Sequence, residues 1–483
     1  MVISPSDHGS VDDAESTPDE PTAGEESVAD DVPPTPDEPA DATPGADAPA
    51  GHGGDAHPDA TGEALADRPG GLGAYAEQYA RDHVVHIAVV VAFALYPAVF
   101  SYLLSTPLGD EFAVVLPPLR TMIAVFYVGL FAMSFDFISG YTGYLSFGHA
   151  MFYGSGAYLV VMAANGKFPI LGPGTSFMTL IVVAAVLGAL LALLVGSVSF
   201  RLTGVYFAMV TLGFAEVTHV FVRNWGRVSE NPRDGAAVTS PEGFELGVPF
   251  VDSLQFSIGR LVGDSFENAL GLGIKIGTAE LSYYLIGTVA LGCYFAMQRI
   301  IHSPFGRVMI AIRENEERAR AIGYNTFWYK MGAFAISGAF AAVGGALFSG
   351  YRRSVAPENT YDLFVTADAL LAAIIGGFGT LAGPLYGHLF HEFLGGILTT
   401  ESHGLARYLR DTLPESALTA EVAGVTLLQV VNVLIDGRAS LYLGIIFIAF
   451  VLFVPRGIVG TLRDRLGGTV AATLPEHVRR YLP

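Results

Sequence analysis

The stretch SPFGRVMIAIRENEERARAIG, Ser303 to Gly323, decides how the rest of the chain is read. It is the longest run of mixed charge between hydrophobic segments. Arg299, Arg307, Arg313, Arg318, Arg320 and Lys330 stand against Glu314, Glu316 and Glu317. Read as one helix, it pairs Glu314 with Arg318 and Glu316 with Arg320 at i,i+4. The acid is N-terminal in both, and each pair adds a few tenths of a kcal/mol. Ile312, Asn315, Ala319 and Ile322 fall on one narrow, weakly apolar side. Gly323 stands where a helix ends in a left-handed residue. The spacing therefore predicts a short solvated helix with one small-residue face. Two readings follow: a water-exposed connector, or a docking helix for a soluble partner.

Working outward, the chain around this stretch is too apolar for an ordinary soluble protein. Of 483 residues, 51% are hydrophobic, and mean hydropathy is +0.46. The net charge of −20 is unevenly placed: residues 1–67 hold 18 acids and no Lys or Arg. The acidity belongs to that tail and implies no basic substrate, and nothing suggests a nucleic-acid partner. Residues 1–70, rich in Pro, Ala, Gly and Thr, read as a disordered acidic tail that cannot bury enough surface to offset ordering entropy. The tail lacks the basic and apolar regions of a signal peptide. Cys293 stands alone, which excludes an intrachain disulfide.

A bilayer-crossing helix needs about 17–25 apolar residues. Ten stretches qualify or nearly do: 84–104, 121–138, 145–163, 177–199, 202–222, 281–298, 331–350, 366–380, 384–400 and 441–455. The hydrophobic piece 424–436 is too short and reads as an interfacial helix. Lys and Arg in short loops set orientation. The 299–330 loop has six bases, and 456–483 carries Arg456, Arg463, Arg465, Arg479 and Arg480, so both belong in the cytoplasm. Counting back puts 223–280 outside, where eight acids meet five bases, and both termini inside. The expected fold is all-α: a polytopic integral membrane protein with about ten transmembrane helices. Its transmembrane domain covers 84–460, and 461–483 forms a cytoplasmic tail.

Several segments carry more than hydrophobicity. Within 331–350, Gly338/Ala342 and Ala341/Gly345 are small-xxx-small pairs, which let helix backbones approach closely in lipid. GYTGYLSFGHAMFYGSGAY, Gly140 to Tyr158, holds Gly140, Gly143, Gly148, Gly154 and Gly156, too many for a plain lipid-facing helix. Thr142, Ser146 and His149 there are costly against lipid and should face the bundle or water. A break at 139–148 would free backbone groups to line a passage for a polar solute; a packing seam is the other reading. Glu216 and His219, buried among apolar neighbours, form an ionisable pair three apart, and Asp136 and Asp368 are further intramembrane acids. His388 and His391, followed by Glu392, put both imidazoles on one helix face but lack the HExxH order, and no third ligand suggests itself nearby, so a polar strip is preferred to zinc. His83 and His86 sit at a membrane entry. No phosphate-binding G-x-x-x-x-G-K-[ST] loop occurs, and no nucleophile–base signature, so no catalytic residue, metal or cofactor is expected. ATP, if used, is hydrolysed on another chain.

In order, GYTGYLSFGHAMFYGSGAYLVVM (140–162), RLTGVYFAMVTLGFAEV (201–217), SPFGRVMIAIRENEERARAIGYN (303–325), IIGGFGTLAGPLYGH (374–388) and LFVPRGIVG (452–460) resemble the branched-chain amino-acid ABC permease family, LivM type. The likeness covers roughly residues 85–465. It implies that Glu317, Ala319 and Gly323 match three positions of the importer coupling motif E-A-A-x-x-x-G, with Arg318 in place of the first Ala. Arg313 and Glu314 lie in the same coupling loop, which in the family seats in a groove of a cytoplasmic ATPase. It further implies a second permease subunit, two ATPase subunits and an extracytoplasmic substrate-binding protein, all at the cell membrane. Asp136, Gly140, Gly143, Ser146, Gly148, His149, Gly204, Tyr206 and Glu216 become candidates for the translocation path. The family often has Asn at Asp136 and Gln at Tyr144, and its outer-loop T-G-G-x-D-G survives only as Asp234-Gly235. Those departures leave the solute open among branched-chain amino acids, other amino acids, urea and amides. The runner-up is an ion-coupled secondary transporter using Asp136, Glu216 or Asp368, which has no use for the 317–323 helix, and a third class is an intramembrane enzyme with His388, His391 and Glu392 as ligands.

Overall fold

In a computed structural model of the chain, the described residues are 84–104, 106, 116–239, 278–398, 439–454 and 456–465. Short strand segments between 245 and 276 and between 421 and 426 are also described. The acidic tail, most of the 424–436 segment and residues 466–483 lie outside them. Val425–Thr426, where the sequence predicts the start of an interfacial helix, pairs as a strand with Glu421–Val422.

Each of the ten apolar stretches contains a helix. In chain order these are α1 (Val84–Leu104), α2 (Leu119–Thr142), α3 (Ala150–Ala164), α4 (Phe177–Ser199), α5 (Val205–Asn224) and α6 (Thr278–Ile301). Two short helices follow, α7 (Pro304–Glu314) and α8 (Glu316–Ala321). Next come α9 (Thr326–Arg352), α10 (Leu363–Gly376), α11 (Gly383–Leu398), α12 (Ala439–Phe453) and α13 (Gly457–Arg465). Among the described residues, six helices are long and apolar enough to cross a membrane: α2, α4, α5, α6, α9, and α12 continued into α13. At 15 residues α3 would reach about 22 Å, short of a full crossing on its own.

The bundle is built around α9, which packs on α2, α3 and α4. Lipid offers apolar side chains no incentive to leave it, so close backbone packing must supply the contact energy. The expected small residues do this. A Cβ on Gly338 would lie 2.7 Å from Ala192 Cβ and 2.8 Å from the Gly188 carbonyl oxygen. Likewise, Gly156 of α3 has no room beside the Ala342 carbonyl, and Gly345 has none beside that of Tyr153. Aromatic rings fill the wider spaces: Phe200, Phe207 and Phe334 pack together, with Phe152 against Phe334. On the periphery, α1 meets α6 through stacked Phe93 and Tyr283, whose hydroxyl donates to the Phe93 carbonyl at 3.0 Å.

Several of the described loops fall at two ends of the bundle. At one, Asn165 after α3 bonds to Ala237 and Thr239, the strands Ala236–Ala237 and Ser354–Val355 pair antiparallel, and Arg223 lies 3.6 Å from Glu358. At the other, Arg313 packs over Gly143 and Gly379, and Gly457 packs on Gly377. The basic 299–330 loop and the start of the basic C-terminal stretch thus share one end, as the charge count requires.

The 303–323 stretch is two helices, not one. Asn315 is extended (φ −162°, ψ 102°), closing α7 and opening α8, where its Oδ1 accepts from the Arg318 N–H at 2.8 Å. An Asn that caps with its side chain competes well against continuing the helix. The break removes the expected Glu314–Arg318 register, and among the described residues those two form no ion pair. Of the expected narrow side, Ile312 and Ala319 are buried, but Ile322 is 69% exposed. Gly323 does end α8 in the left-handed region, at φ 97°.

Candidate functional site

Two faces of α8 can be separated. Outward, Glu317, Arg318, Arg320, Ile322, Gly323 and Tyr324 are exposed, with Trp328 close by at 64%. Inward, Ala319 is buried and Glu316 turns to the bundle. Lys330, in the second turn of α9 and only 3% exposed, places Nζ 2.7 Å from Glu316 Oε1. The same oxygen accepts from Thr326 Oγ1 at 2.9 Å and Arg320 Nη2 at 3.0 Å. Tyr144 completes the knot: its hydroxyl donates to Glu316 Oε2 at 2.6 Å and accepts from Lys330 Nζ at 2.9 Å. The ammonium also lies 4.6 Å from the Tyr144 ring centre, within cation–π range.

Opposing forces act on Glu316. Partial burial favours its neutral form, but hydrogen bonds from Lys330, Tyr144 and Thr326 and the Lys330 charge outweigh that. The carboxyl is held at about 2. Burial, followed by the hydrogen bond to Glu316 and its charge, pushes the Tyr144 phenol well above its usual value. Glu316 therefore stays ionised and the Tyr144 phenol neutral across the physiological range. Sequence reading missed Lys330, Thr326 and Tyr144 as partners of Glu316 and saw only the exposed Glu316–Arg320 pair. The available signal was a lysine near the start of a span, which needs an acid.

Tyr144 opens the segment between α2 and α3. Gly143 ends α2 at φ 79°, and the chain then folds back into the bundle. By His149 it has returned to the level of Ser134, eight residues or about 12 Å inside Thr142. His149 Nε2 lies 3.2 Å from Ser134 Oγ and 3.3 Å from Ser337 Oγ, ringed by Phe131, Phe135 and Phe152. So α3 starts inside the bundle, where its first N–H donates to Thr366 Oγ1 at 2.9 Å. Ser146 Oγ, His149 Nδ1 and Asp136 Oδ2 are buried without a hydrogen-bond partner.

The path candidates form two groups rather than one passage. Asp136, Gly140, Ser146, Gly148 and His149 are buried within the bundle, and Gly143 closes α2 beneath Arg313. Asp136 Oδ1 accepts from the Gly379 N–H at 2.8 Å, so this acid pins the turn between α10 and α11. Gly140 has no room for a side chain beside Asp136 and Gly379. Gly204, Tyr206 and Glu216 instead belong to an exposed side of α5, with Val205, Met209, Val217 and Val220. The groups stand back to back, Gly148 packing on the Thr211 carbonyl. His219 is buried as expected, but the Glu216 side chain is 61% exposed, correcting the expectation of a buried pair. A membrane helix has the same hydropathy whichever of its sides is packed.

The ligand-capable atoms of His388, His391 and Glu392 lie within 4.8 Å of one another. That spread exceeds the edge of about 3.3 Å between ligands on tetrahedral zinc. Asp368 and His391 line a mainly apolar cleft of about 590 Å³ between α10, α11 and α12.

A family model described as "Branched-chain amino acid transport system / permease component" matches residues 118–399, from the start of α2 to the end of α11. The chain belongs to this family. It is a multi-pass membrane protein in which the helices above form the permease fold. The High-affinity branched-chain amino acid transport system permease protein LivM of Escherichia coli is 29% identical over 254 residues, 52% of this chain and 56% of that protein. A Probable branched-chain amino acid transport permease protein LivM of Methanocaldococcus jannaschii is 29% identical over 106 residues, 22% of this chain and 31% of its own length. The Ribose import permease protein RbsC of Haemophilus influenzae is 27% identical over 152 residues, 30% and 47% respectively. The match to the Escherichia coli permease spans a little over half of that protein's length. No solved structure gives a significant match.

Proposed function

We propose that this chain is the permease subunit of an ATP-driven importer at the cell membrane. In this reading the chain forms half of a translocation path, together with a second permease. Two ATPase subunits dock on the cytoplasmic side, and an extracytoplasmic binding protein delivers the solute. The observation that supports this most directly is the two-faced α8: an outer surface of Glu317, Arg318, Ile322 and Gly323 free to meet a soluble protein, and an inner surface tied to the bundle. A plain connector needs no such anchoring.

The path itself is best placed along the exposed side of α5. A carboxylate such as Glu216 facing lipid costs about 2.5–3.5 kcal/mol, so this side belongs against water or another subunit. The buried group around His149 then shapes the wall behind it. Branched-chain amino acids are the solutes named for the LivM relatives, and ribose for another. Binding of labelled leucine against labelled ribose by the assembled importer separates these.

The test of docking is a pull-down of ATPase from membranes expressing the wild-type chain or Gly323→Asp. Gly323 has φ 97° and open space around it. An aspartate side chain there would strain the turn and add charge to the outer face without touching the core. The variant should remain inserted and monodisperse yet lose the ATPase. Retention of partner and uptake contradicts the docking assignment.

A further inference from the structure

Glu316 is a poor candidate for the docking surface, because all of its polar contacts but one point inward. Four side chains donate to its two oxygens: Lys330, Thr326, Arg320 and Tyr144. Only Arg320 belongs to α8. A helix of six residues cannot hold itself in place, so its position depends on what it is tied to. Resting on the reading of α8 as the docking helix, we propose that Glu316 is a positioning residue: its knot with Lys330 and Tyr144 is the joint through which displacement of α8 reaches the interior.

The two ends of the joint lead to the same place. Lys330 is part of α9, whose backbone is locked against α3 at Gly156–Ala342 and Gly345–Tyr153. Tyr144 lies in the stretch that turns back into the bundle and becomes α3. A shift of Glu316 therefore pulls on α3 from its own N-terminal lead and from the helix it packs on. A single neutral hydrogen bond would let this slip. An ion pair with a nearly fully buried ammonium resists, because separating it leaves an uncompensated charge out of water. The second tie, Arg313 over Gly143 and Gly379, anchors the preceding helix and leaves α8 hinged at Asn315. Motion at the hinge is thereby directed into the Glu316 knot.

Hydrogen–deuterium exchange on the purified complex of this chain with its ATPase tests the proposal, comparing nucleotide-free with ATP-plus-orthovanadate states. In the wild type, exchange should differ between the states both at 316–323 and at 143–149. In Glu316→Gln the response at 316–323 should persist with the ATPase bound, while that at 143–149 falls at least about fivefold. Glu316→Asp, or the reversed pair Glu316→Lys with Lys330→Glu, should recover at least part of it. Should Glu316→Gln fold poorly, Tyr144→Phe removes one hydroxyl only and should weaken the 143–149 response about twofold. The proposal is overturned by an undiminished response at 143–149 in Glu316→Gln or Tyr144→Phe, by no response there in the wild type, or by loss of the ATPase from Glu316→Gln. A wild-type chain that holds no ATPase refutes the docking reading first, and this joint with it.

Discussion

Gly338 and Gly188 meet backbone to backbone: a Cβ on Gly338 would stand 2.8 Å from the Gly188 carbonyl oxygen. Gly338→Leu should therefore wedge α9 from α4 and cost about 3 kcal/mol, the upper part of the usual range for overpacking. Gly292→Ala, with nothing within 4 Å of the added carbon, should be neutral or stabilise by up to about 1 kcal/mol. Thermal unfolding midpoints in detergent check both. Equal midpoints for the two variants would show that this seam is not close-packed.

The Glu316 knot makes a pH prediction. Its carboxyl is held at about 2, below an ordinary value of 4.5, so the ionised form is the one folding favours. The stabilisation is complete above pH 4.5 and is lost as pH falls from there towards 2. Glu316→Gln should be less stable by about 1–2 kcal/mol at pH 8 and by the same amount at pH 5, allowing for solvent screening. The gap should narrow by about pH 3. A gap that closes between about pH 7 and 5 would show that the carboxylate is not held this way.

Asp136 and Glu216 should behave oppositely. Asp136→Ala removes the acceptor for the Gly379 N–H and should destabilise the chain by about 1–3 kcal/mol, while Asp136→Asn keeps an acceptor and loses less. Denaturation of the purified chain reads this directly.

Glu216, 61% exposed, holds up little of the fold. Glu216→Gln should change the stability of the isolated chain by less than about 0.5 kcal/mol. Uptake by the assembled importer should nevertheless fall, because the substitution alters the side of α5 assigned to the path. Stability loss without an uptake defect would remove Glu216 from that path.

Much of the helix layout was legible, because bilayer thickness imposes a length that an apolar run either meets or misses. The left-handed end at Gly323 and the small-residue pairs of α9 were legible for a similar reason: each is a local rule written in neighbouring residues. The break at Asn315 was not, since a capping side chain and a helical one look alike until the partner N–H is known. The tie between Glu316 and Tyr144, 172 residues apart, leaves no periodic trace at all. Hydropathy likewise placed α5 without saying which side is packed, and so Glu216 reads as buried in the sequence.

The central claim is that this chain moves solute only with energy from a docked ATPase. The direct measurement is labelled-leucine accumulation in proteoliposomes. One set holds the chain alone under an imposed proton or sodium gradient, and the other holds it with a second permease, ATPases, binding protein and ATP. Accumulation is predicted only in the complete, ATP-supplied vesicles, with its loss there in Gly323→Asp. Gradient-driven accumulation by the chain alone would contradict the claim.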